Sequence, residues 1–381
     1  MNLLIDATNL TGGGGVTHLH EMLNSTSDRI YDECEIKKIV IVGLPKVLAK
    51  INNHAIITKI SMGSLEFSLI KRQLWKLRNF EKTIKDYQID LIFNPGGSYI
   101  SKKHPYITMC RNMLVFEKEE SKRFKNFLYR KRFDVLRYLQ TKSMKNAAGV
   151  IFISKYAENY IKSKLQIPIK ESDVIFHGIS EKFNNLVREQ KDIGSYNDMQ
   201  PFKILYISIT NPYKHHANIA EAILNLKDKH NFPLQFIVVG DKGFAHDEFE
   251  NVRRKTPETI IYRGKVDFEE IQKIYHEANL FVFGSTCENM PNILIEAMTS
   301  GLPIACSKKM PMPEFLKDGG IYFDSENVAS IEKALAELIL NKDLRSSLAN
   351  IAKENTFAFS WEKCSQETFY FIKKCYDKSK N

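Results

Sequence analysis

The chain has 381 residues, 43% hydrophobic and 26% charged, which at roughly 150 residues per domain predicts two or three domains and excludes a largely disordered chain. No apolar run approaches the ~18–20 residues that span a bilayer. The start, MNLLIDATNL, has neither a basic region nor a small-residue cleavage site, so a signal peptide is not expected. Six scattered cysteines with no C-x-x-C suit free thiols in a reducing, cytoplasmic setting and argue against a zinc module. The net charge of +10 gathers in the first half, where residues 1–200 hold 32 Lys+Arg against 21 Asp+Glu; residues 201–381 hold 23 against 24. Such a half implies an anionic partner (nucleic acid, membrane surface or phosphorylated substrate) or simply a soluble surface.

The first expected strand is LLID (3–6), followed by Leu10-Thr-Gly-Gly-Gly-Gly-Val and a helical pattern from Val16. The glycine run contains neither G-x-G-x-x-G nor G-x-x-x-x-G-K-[ST]. Gly14 and Gly15 either let bare backbone approach a sugar or phosphate, or close a tight turn. His18 and His20 just beyond read as surface or packing residues, with a catalytic role as the alternative. Further strands are expected at KIVIVG (38–43), DLIFN (90–94), YITM (106–109), GVIFIS (149–154) and DVIFHG (173–178). Two basic amphipathic stretches interrupt them, IKRQLWKLRNF (70–80) with Trp75, and residues 121–145. The latter hold nine Lys+Arg and one acidic residue, Asp134. There Phe124, Phe127, Leu128, Val135 and Leu139 fall on one helical face, which either packs on a sheet or meets anionic lipid.

Residues 188–201, REQKDIGSYNDMQP, carry no apolar period and suit a linker. Beyond them come KILYIS (203–208), QFIVVG (235–240), IIYRG (260–264), LFVFGS (280–285), PIACS (303–307) and GIYFD (320–324), with amphipathic stretches between many of them. Continuous apolar runs alternating with helices read as doubly wound parallel sheets, and the pattern occurs twice. A last helix with a basic end follows Phe359. No aromatic-basic motif supports nucleic-acid binding.

The most informative stretch is STCENMPNILIEAMTSGLP (285–303). A loop carrying Glu288 feeds a helix that starts at Pro291-Asn292, carries Glu296 and ends at Gly301. A helix start offers unpaired N–H groups and partial positive charge to a phosphate. Glu296 is placed to accept hydrogen bonds from a vicinal diol such as a ribose. A nucleoside diphosphate fits both features; two solvated glutamates would fit the spacing as well.

The segment E-N-M-P-N-I-L-I-E-A-M-T-S-G-L-P resembles the E-x7-E signature of the retaining glycosyltransferases of family 4. FISKYAENYI (152–161), FHGIS (176–180), ILYISITNPYKHHANIAEA (204–222), YRGKVDFEEIQKIYHEANLFVFGS (262–285) and the GGGG loop resemble further segments of that family in the same order. The resemblance implies a GT-B architecture, an α/β fold of two Rossmann-like doubly wound parallel-sheet domains facing a cleft. The first domain would be residues 1–188 with a returning helix 360–381, binding the acceptor, and the second residues 202–359, binding a nucleotide-sugar. It implies that Glu296 holds the donor ribose, Glu288 contacts the donor sugar or its phosphate, and amides near Asn292 and Ile293 hold the diphosphate. Lys214 would neutralise the leaving diphosphate, and Val266 would lie near the base.

Three departures accompany it. Ser208 stands where the family often has Arg, leaving His215, His216 or a residue from elsewhere to supply positive charge. Pro291 stands where a Gly often lies and has no N–H to donate. Arg111 and Asn112 replace a His that commonly follows the strand reaching the donor sugar, and both are carried over as sugar-pocket candidates. With no D-x-D in the chain, neither a metal nor another cofactor is expected. The implied activity is retaining, hexosyltransferase-type transfer from a nucleotide-sugar to a glycan or lipid-linked glycan in cell-surface polysaccharide (lipopolysaccharide-type) synthesis. It would take place in the cytoplasm, peripheral to the membrane's inner face. A non-catalytic nucleotide-sugar or glycan-binding protein and a GT-B-type sugar-nucleotide epimerase are the alternatives.

Overall fold

The computed structural model describes residues 1–63 and 69–380. Two sheets, parallel throughout, organise them. The first contains β1 (Asn2–Asp6), β2 (Lys38–Gly43), β3 (Ile57–Ser61), β4 (Leu91–Asn94), β5 (Tyr106–Cys110), β6 (Gly149–Phe152) and β7 (Ser172–Val174), in the order β3-β2-β1-β4-β5-β6-β7. The second contains β8 (Phe202–Ile207), β9 (Leu234–Val239), β10 (Ile260–Gly264), β11 (Leu280–Phe283), β12 (Ile304–Ser307) and β13 (Ile321–Phe323), in the order β10-β9-β8-β11-β12-β13. Each reverses direction once, between β1 and β4 and between β8 and β11. Crevices at such reversals, beyond the carboxyl ends of the strands, are where doubly wound sheets bind ligands.

Central strands are buried on both faces, which is why Leu3, Leu4 and Ile5 of β1, Ile39–Val42 of β2 and Phe281 and Val282 of β11 read as unbroken apolar runs. The strand β3, ITKIS, lacks that signature because it is a half-exposed edge carrying Thr58 and Lys59. It is absent from the strands expected from sequence for that reason.

Contacts divide the chain into two compact units. The first is residues 1–116, 132–178 and 359–381; the second is 117–131 and 179–358. In the first, the final helix, Trp361–Lys380, is seated by two glycines. A Cβ on Gly178 would meet the Trp361 backbone nitrogen at 2.3 Å, and one on Gly149 would meet Cys375 Sγ at 2.5 Å.

The division departs from the expected boundaries at 117–131 and at 179–201. Residues 179–188, expected in the first domain, and the expected linker 188–201 both belong to the second unit, the linker held by the fully buried Arg345. Its Nε donates to Gln190 Oε1 at 3.0 Å and its Nη1 to the Leu338 and Ile339 carbonyls at 2.6 and 2.8 Å. Its Nη2 donates to the Lys191 carbonyl, so a segment lacking apolar period is fixed through Gln190 and Lys191 on one guanidinium. Residues 117–131 also belong to the second unit. Phe124, expected on the basic helix's apolar face, lies before that helix (Phe127–Asn146) and is buried among Tyr129, Tyr213 and Phe244.

The remaining apolar residues of that helix divide. Phe127, Leu128, Val135 and Tyr138 are exposed, whereas Phe133 and Met144 are buried. The helix Leu69–Asp86 buries Arg72, whose Nη1 donates to the Thr8 carbonyl at 3.2 Å, and pairs Lys76 with the buried Asp6. It exposes Leu74 and Leu77; the Ile70 and Gln73 side chains lie outside the described residues.

Candidate functional site

In the second unit the loop after β8 is shaped by two bare backbones. A Cβ on Gly240 would meet the Ser208 carbonyl oxygen at 2.2 Å, and one on Gly243 the Thr210 carbonyl oxygen at 2.5 Å. The Gly243 amide donates to Thr210 Oγ1 at 2.8 Å. The loop then makes a 3₁₀ turn over Pro212–Lys214, and His215 takes left-handed backbone angles (φ 54, ψ 35) before the helix His216–His230 begins. This reversal turns Lys214 under the strand ends. Its ammonium pairs with Glu288 on the loop after β11, and its carbonyl accepts from the Tyr206 hydroxyl at 3.0 Å.

Lys214 is 6% exposed and lies over the rings of Tyr213 and Phe283, at 5.2 and 5.3 Å. Burial works to lower its pKa, but the Glu288 charge, with Tyr213, outweighs it, and Lys214 is held charged, above its usual value. A buried pair of this kind is expensive to break from one side, at ~3–5 kcal/mol.

The helix Asn292–Thr299 follows directly. The Asn292 amide donates to the Met290 carbonyl at 3.0 Å, so of the two amides assigned to the diphosphate this one is already engaged in a tight turn. Glu296 lies under Tyr275, whose hydroxyl is 3.1 Å from both Glu296 Oε2 and the Ile293 carbonyl. Glu296 keeps some exposed surface, yet burial of its carboxyl pushes its pKa up to about 7, against the opposing pull of the Tyr275 hydroxyl. Val266 is half-buried on the loop after β10, the sheet's edge strand.

Four residues not anticipated from the sequence complete this region. Thr286 ties the two loops together: its amide donates to the Tyr213 carbonyl at 2.9 Å, and its hydroxyl donates to Glu120 Oε2 at 2.6 Å. Arg123 Nε also donates to Glu120 Oε2, at 2.8 Å. Thr286 and Tyr275 were within reach of sequence reading, one lying two residues before Glu288 and the other in the helix before β11. Glu120 and Arg123, remote in sequence, carry no local signal.

Neither histidine beside Lys214 supplies the charge missing at Ser208. His216 is buried against Tyr206, and burial, with Lys214 next, lowers its pKa to about 3. His215, whose Nε2 is 3.3 Å from Thr286 Oγ1, is also lowered by burial and then by Arg123. Ser208 is buried with its hydroxyl on the Ile209 carbonyl, leaving no side-chain reach toward a phosphate.

In the first unit the structure brings together two sequence candidates from different loops. The helix Gly14–Asn24 starts immediately after Gly13, which has φ 64. A Cβ on Gly15 would meet Arg111 Nη1 at 2.8 Å. Arg111 follows β5 and donates to the Pro95 carbonyl at 3.4 Å; burial lowers its pKa to about 10. Among the described residues no carboxylate pairs with it. Gly14 is exposed at the first turn. Asn112 does not join this cluster: it is exposed, and its Oδ1 accepts the Leu114 amide at 3.0 Å, a turn that aims the side chain back at its own backbone. His18 and His20 pack, as one reading of them held. His18 is fully buried against His177 (4.6 Å) with its pKa far down, and His20 Nε2 lies 2.9 Å from the Val47 carbonyl.

Residues 187–355 match the family described as Glycosyl transferases group 1. The O-antigen chain mannosyltransferase B of Escherichia coli is 25% identical over 309 residues, covering 78% of this chain and 76% of that protein. The whole fold is similar to that of a sucrose-phosphate synthase from Thermosynechococcus elongatus, with TM-score 0.75 at 14% identity over 99% of both chains. It is also similar to Anabaena HepE in complex with UDP and glucose, with TM-score 0.68 at 16% identity over 98% of this chain and 99% of that one. The sequence matches lead to glycosyltransferases, and the fold is GT-B.

Proposed function

We propose that this glycosyltransferase of GT-B fold is a retaining, metal-independent hexosyltransferase of family 4 type. It would move a sugar from a nucleotide-sugar to a glycan or lipid-linked glycan in cell-surface polysaccharide synthesis. The observation that carries the reading is the Lys214–Glu288 pair at the ends of β8 and β11, with Glu296 held under Tyr275 one helix turn farther on. Glu296 accepts the ribose diol. Lys214 is a fixed, buried cation where negative charge grows on the departing diphosphate, the arrangement that lowers a barrier most. In the first unit Arg111, half-buried beside the bare backbone of Gly15 with no carboxylate on it among the described residues, is a candidate to hold the sugar.

Glu288 is bound to Lys214 and is poorly disposed to act as a nucleophile. Retention is then best served by front-face attack, the departing phosphate oxygen accepting the proton of the acceptor hydroxyl as the new bond forms. The UDP and glucose named with HepE support a nucleotide-sugar donor. The O-antigen chain named for the mannosyltransferase supports a polysaccharide acceptor.

Exposed Phe127, Leu128, Val135 and Tyr138 interleave with Lys131 and Lys142 on one helix, and Leu74 and Leu77 with Lys71 and Arg78 on another. These faces support docking on anionic lipid at the cytoplasmic membrane face, at ~1 kcal/mol per Lys or Arg. Among the described residues no helix is long and apolar enough to cross a membrane. Isothermal titration with UDP and GDP tests the donor site, and failure of both to bind overturns the reading. The anomeric configuration of the product, read by NMR, tests retention; an inverted product rejects that part.

A further inference from the structure

Beside the donor-site loops the second unit holds a cleft of about 600 Å³, within the range of small-molecule sites. We propose that this cleft, rather than the first domain to which the resemblance assigns the acceptor, is the subsite for the acceptor saccharide and that it seats an uncharged sugar ring on Phe244. The proposal rests on the reading that the same unit binds the nucleotide-sugar.

Phe244 is 53% exposed, a large ring left open on the cleft wall. It is braced from behind, edge-to-face with Phe124 at 5.2 Å and against Tyr129 at 4.6 Å. An immobilised aromatic face with hydrogen-bonding groups around it matches a pyranose, which has an apolar C–H face and a rim of hydroxyls.

Charge argues for a neutral ligand. The cations on the wall are already matched, Arg123 with Glu326 and Lys125 with Glu248, so a phosphate would find no excess positive charge. Such pairs still present donors and acceptors together; a hydroxyl uses both, whereas an anion uses only the donors and is repelled by the carboxylates. Asn126 commits its Oδ1 to the Tyr129 amide at 3.0 Å, and Asn218 its Nδ2 to the Ser325 carbonyl at 2.8 Å. The first therefore offers a donor and the second an acceptor.

The inner end of the cleft reaches the reaction loops through His215. That residue lines the cleft, follows Lys214 directly, and has its ring nitrogen 3.3 Å from Thr286 Oγ1, two residues before Glu288. A saccharide on Phe244 would point one end toward the Lys214–Glu288 pair.

The test applies the full chain, saturated with UDP or GDP, to an array of mannose-, glucose- and N-acetylglucosamine-ended saccharides. Wild type should bind at least one group. Phe244→Ser should lose that binding at least tenfold, and Phe244→Tyr should keep it. Nucleoside diphosphate affinity, by titration, should stay within twofold in both variants, which also reports that they are folded. A wild-type chain that retains no saccharide, or a Phe244→Ser chain that binds as wild type does, overturns the proposal. Saccharide binding that depends on Phe244 in a chain that binds neither UDP nor GDP would leave the subsite standing and remove the transferase reading instead.

Discussion

The Arg111 guanidinium lies where the side chain of residue 15 would be: a Cβ on Gly15 would sit 2.8 Å from Nη1 and 3.0 Å from Leu10 Cδ2. Two loops, after β1 and after β5, therefore form one feature, and the glycine is required by its neighbour. Alanine at residue 15 favours the helix it begins by ~0.5–1 kcal/mol, and the atom it meets is the far end of a flexible side chain. Gly15→Ala should therefore fold with an unchanged or slightly raised melting temperature, yet lose turnover by roughly tenfold as Arg111 is pushed aside, one such factor being ~1.4 kcal/mol of barrier. Wild-type turnover in Gly15→Ala would separate Arg111 from the chemistry.

Lys214 and Glu288 should show a different signature. Lys214→Met leaves a buried carboxylate unmatched, at a cost of ~3–5 kcal/mol, and also removes the cation opposing the leaving group. Adding Glu288→Gln should recover most of the stability and none of the turnover. A double-mutant cycle by calorimetric melting and steady-state rates checks this; joint recovery of both would make the pair structural only.

Through Glu296, nucleotide affinity should depend on pH. With its pKa raised to about 7, the carboxyl is protonated below that pH and becomes the stronger acceptor for a diol above it. Affinity for a nucleoside diphosphate should rise through pH 7, by about ten- to a hundredfold overall for a charged hydrogen bond of ~1.5–3 kcal/mol. A 2′,3′-dideoxy analogue, or the Glu296→Gln chain, should lose this component of the trend. In the ligand-free chain the same shift acts on stability with the opposite sense. The proton is held more tightly folded than unfolded, so the contribution is full below the ordinary carboxylate pKa near 4.5 and is lost as pH rises through about 7.

Activity should survive chelation. Lys214 is the protein cation proposed to offset the diphosphate in place of a divalent ion. Complete loss in EDTA, restored by magnesium or manganese, would show that this cation is not sufficient.

Binding to vesicles containing anionic lipid should fall steeply between low and high salt, because surface charges are screened within ~10 Å at 0.1 M. Leu77→Glu and Leu128→Glu should each weaken it further while leaving nucleotide titration unchanged. Co-sedimentation indifferent to salt and lipid charge would remove the membrane proposal.

The two parallel sheets were legible in the sequence because strands buried on both faces must be apolar throughout, as β4 (LIFN), β6 (GVIF) and β11 (LFVF) are. The edge strand β3 escaped because half-exposure allows Thr58 and Lys59. The segments whose resemblance singled out Glu288, Glu296 and Lys214 are local too: each residue lies in the loop after β8 or β11 or in the helix that follows. What local order cannot convey is which loop meets which. Glu120 reaches Thr286 across 166 residues of chain, and Arg111, after β5, reaches Gly15, after β1, across the intervening β4. Nothing in the segment 117–131 marks it as part of the second unit, since the aromatic neighbours that bury Phe124 come from the loops at Tyr213 and Phe244. The ionisation states belong to the same class. A glutamate raised to about 7 and a histidine lowered to about 3 are set by the water each has lost, and only the packed chain determines that.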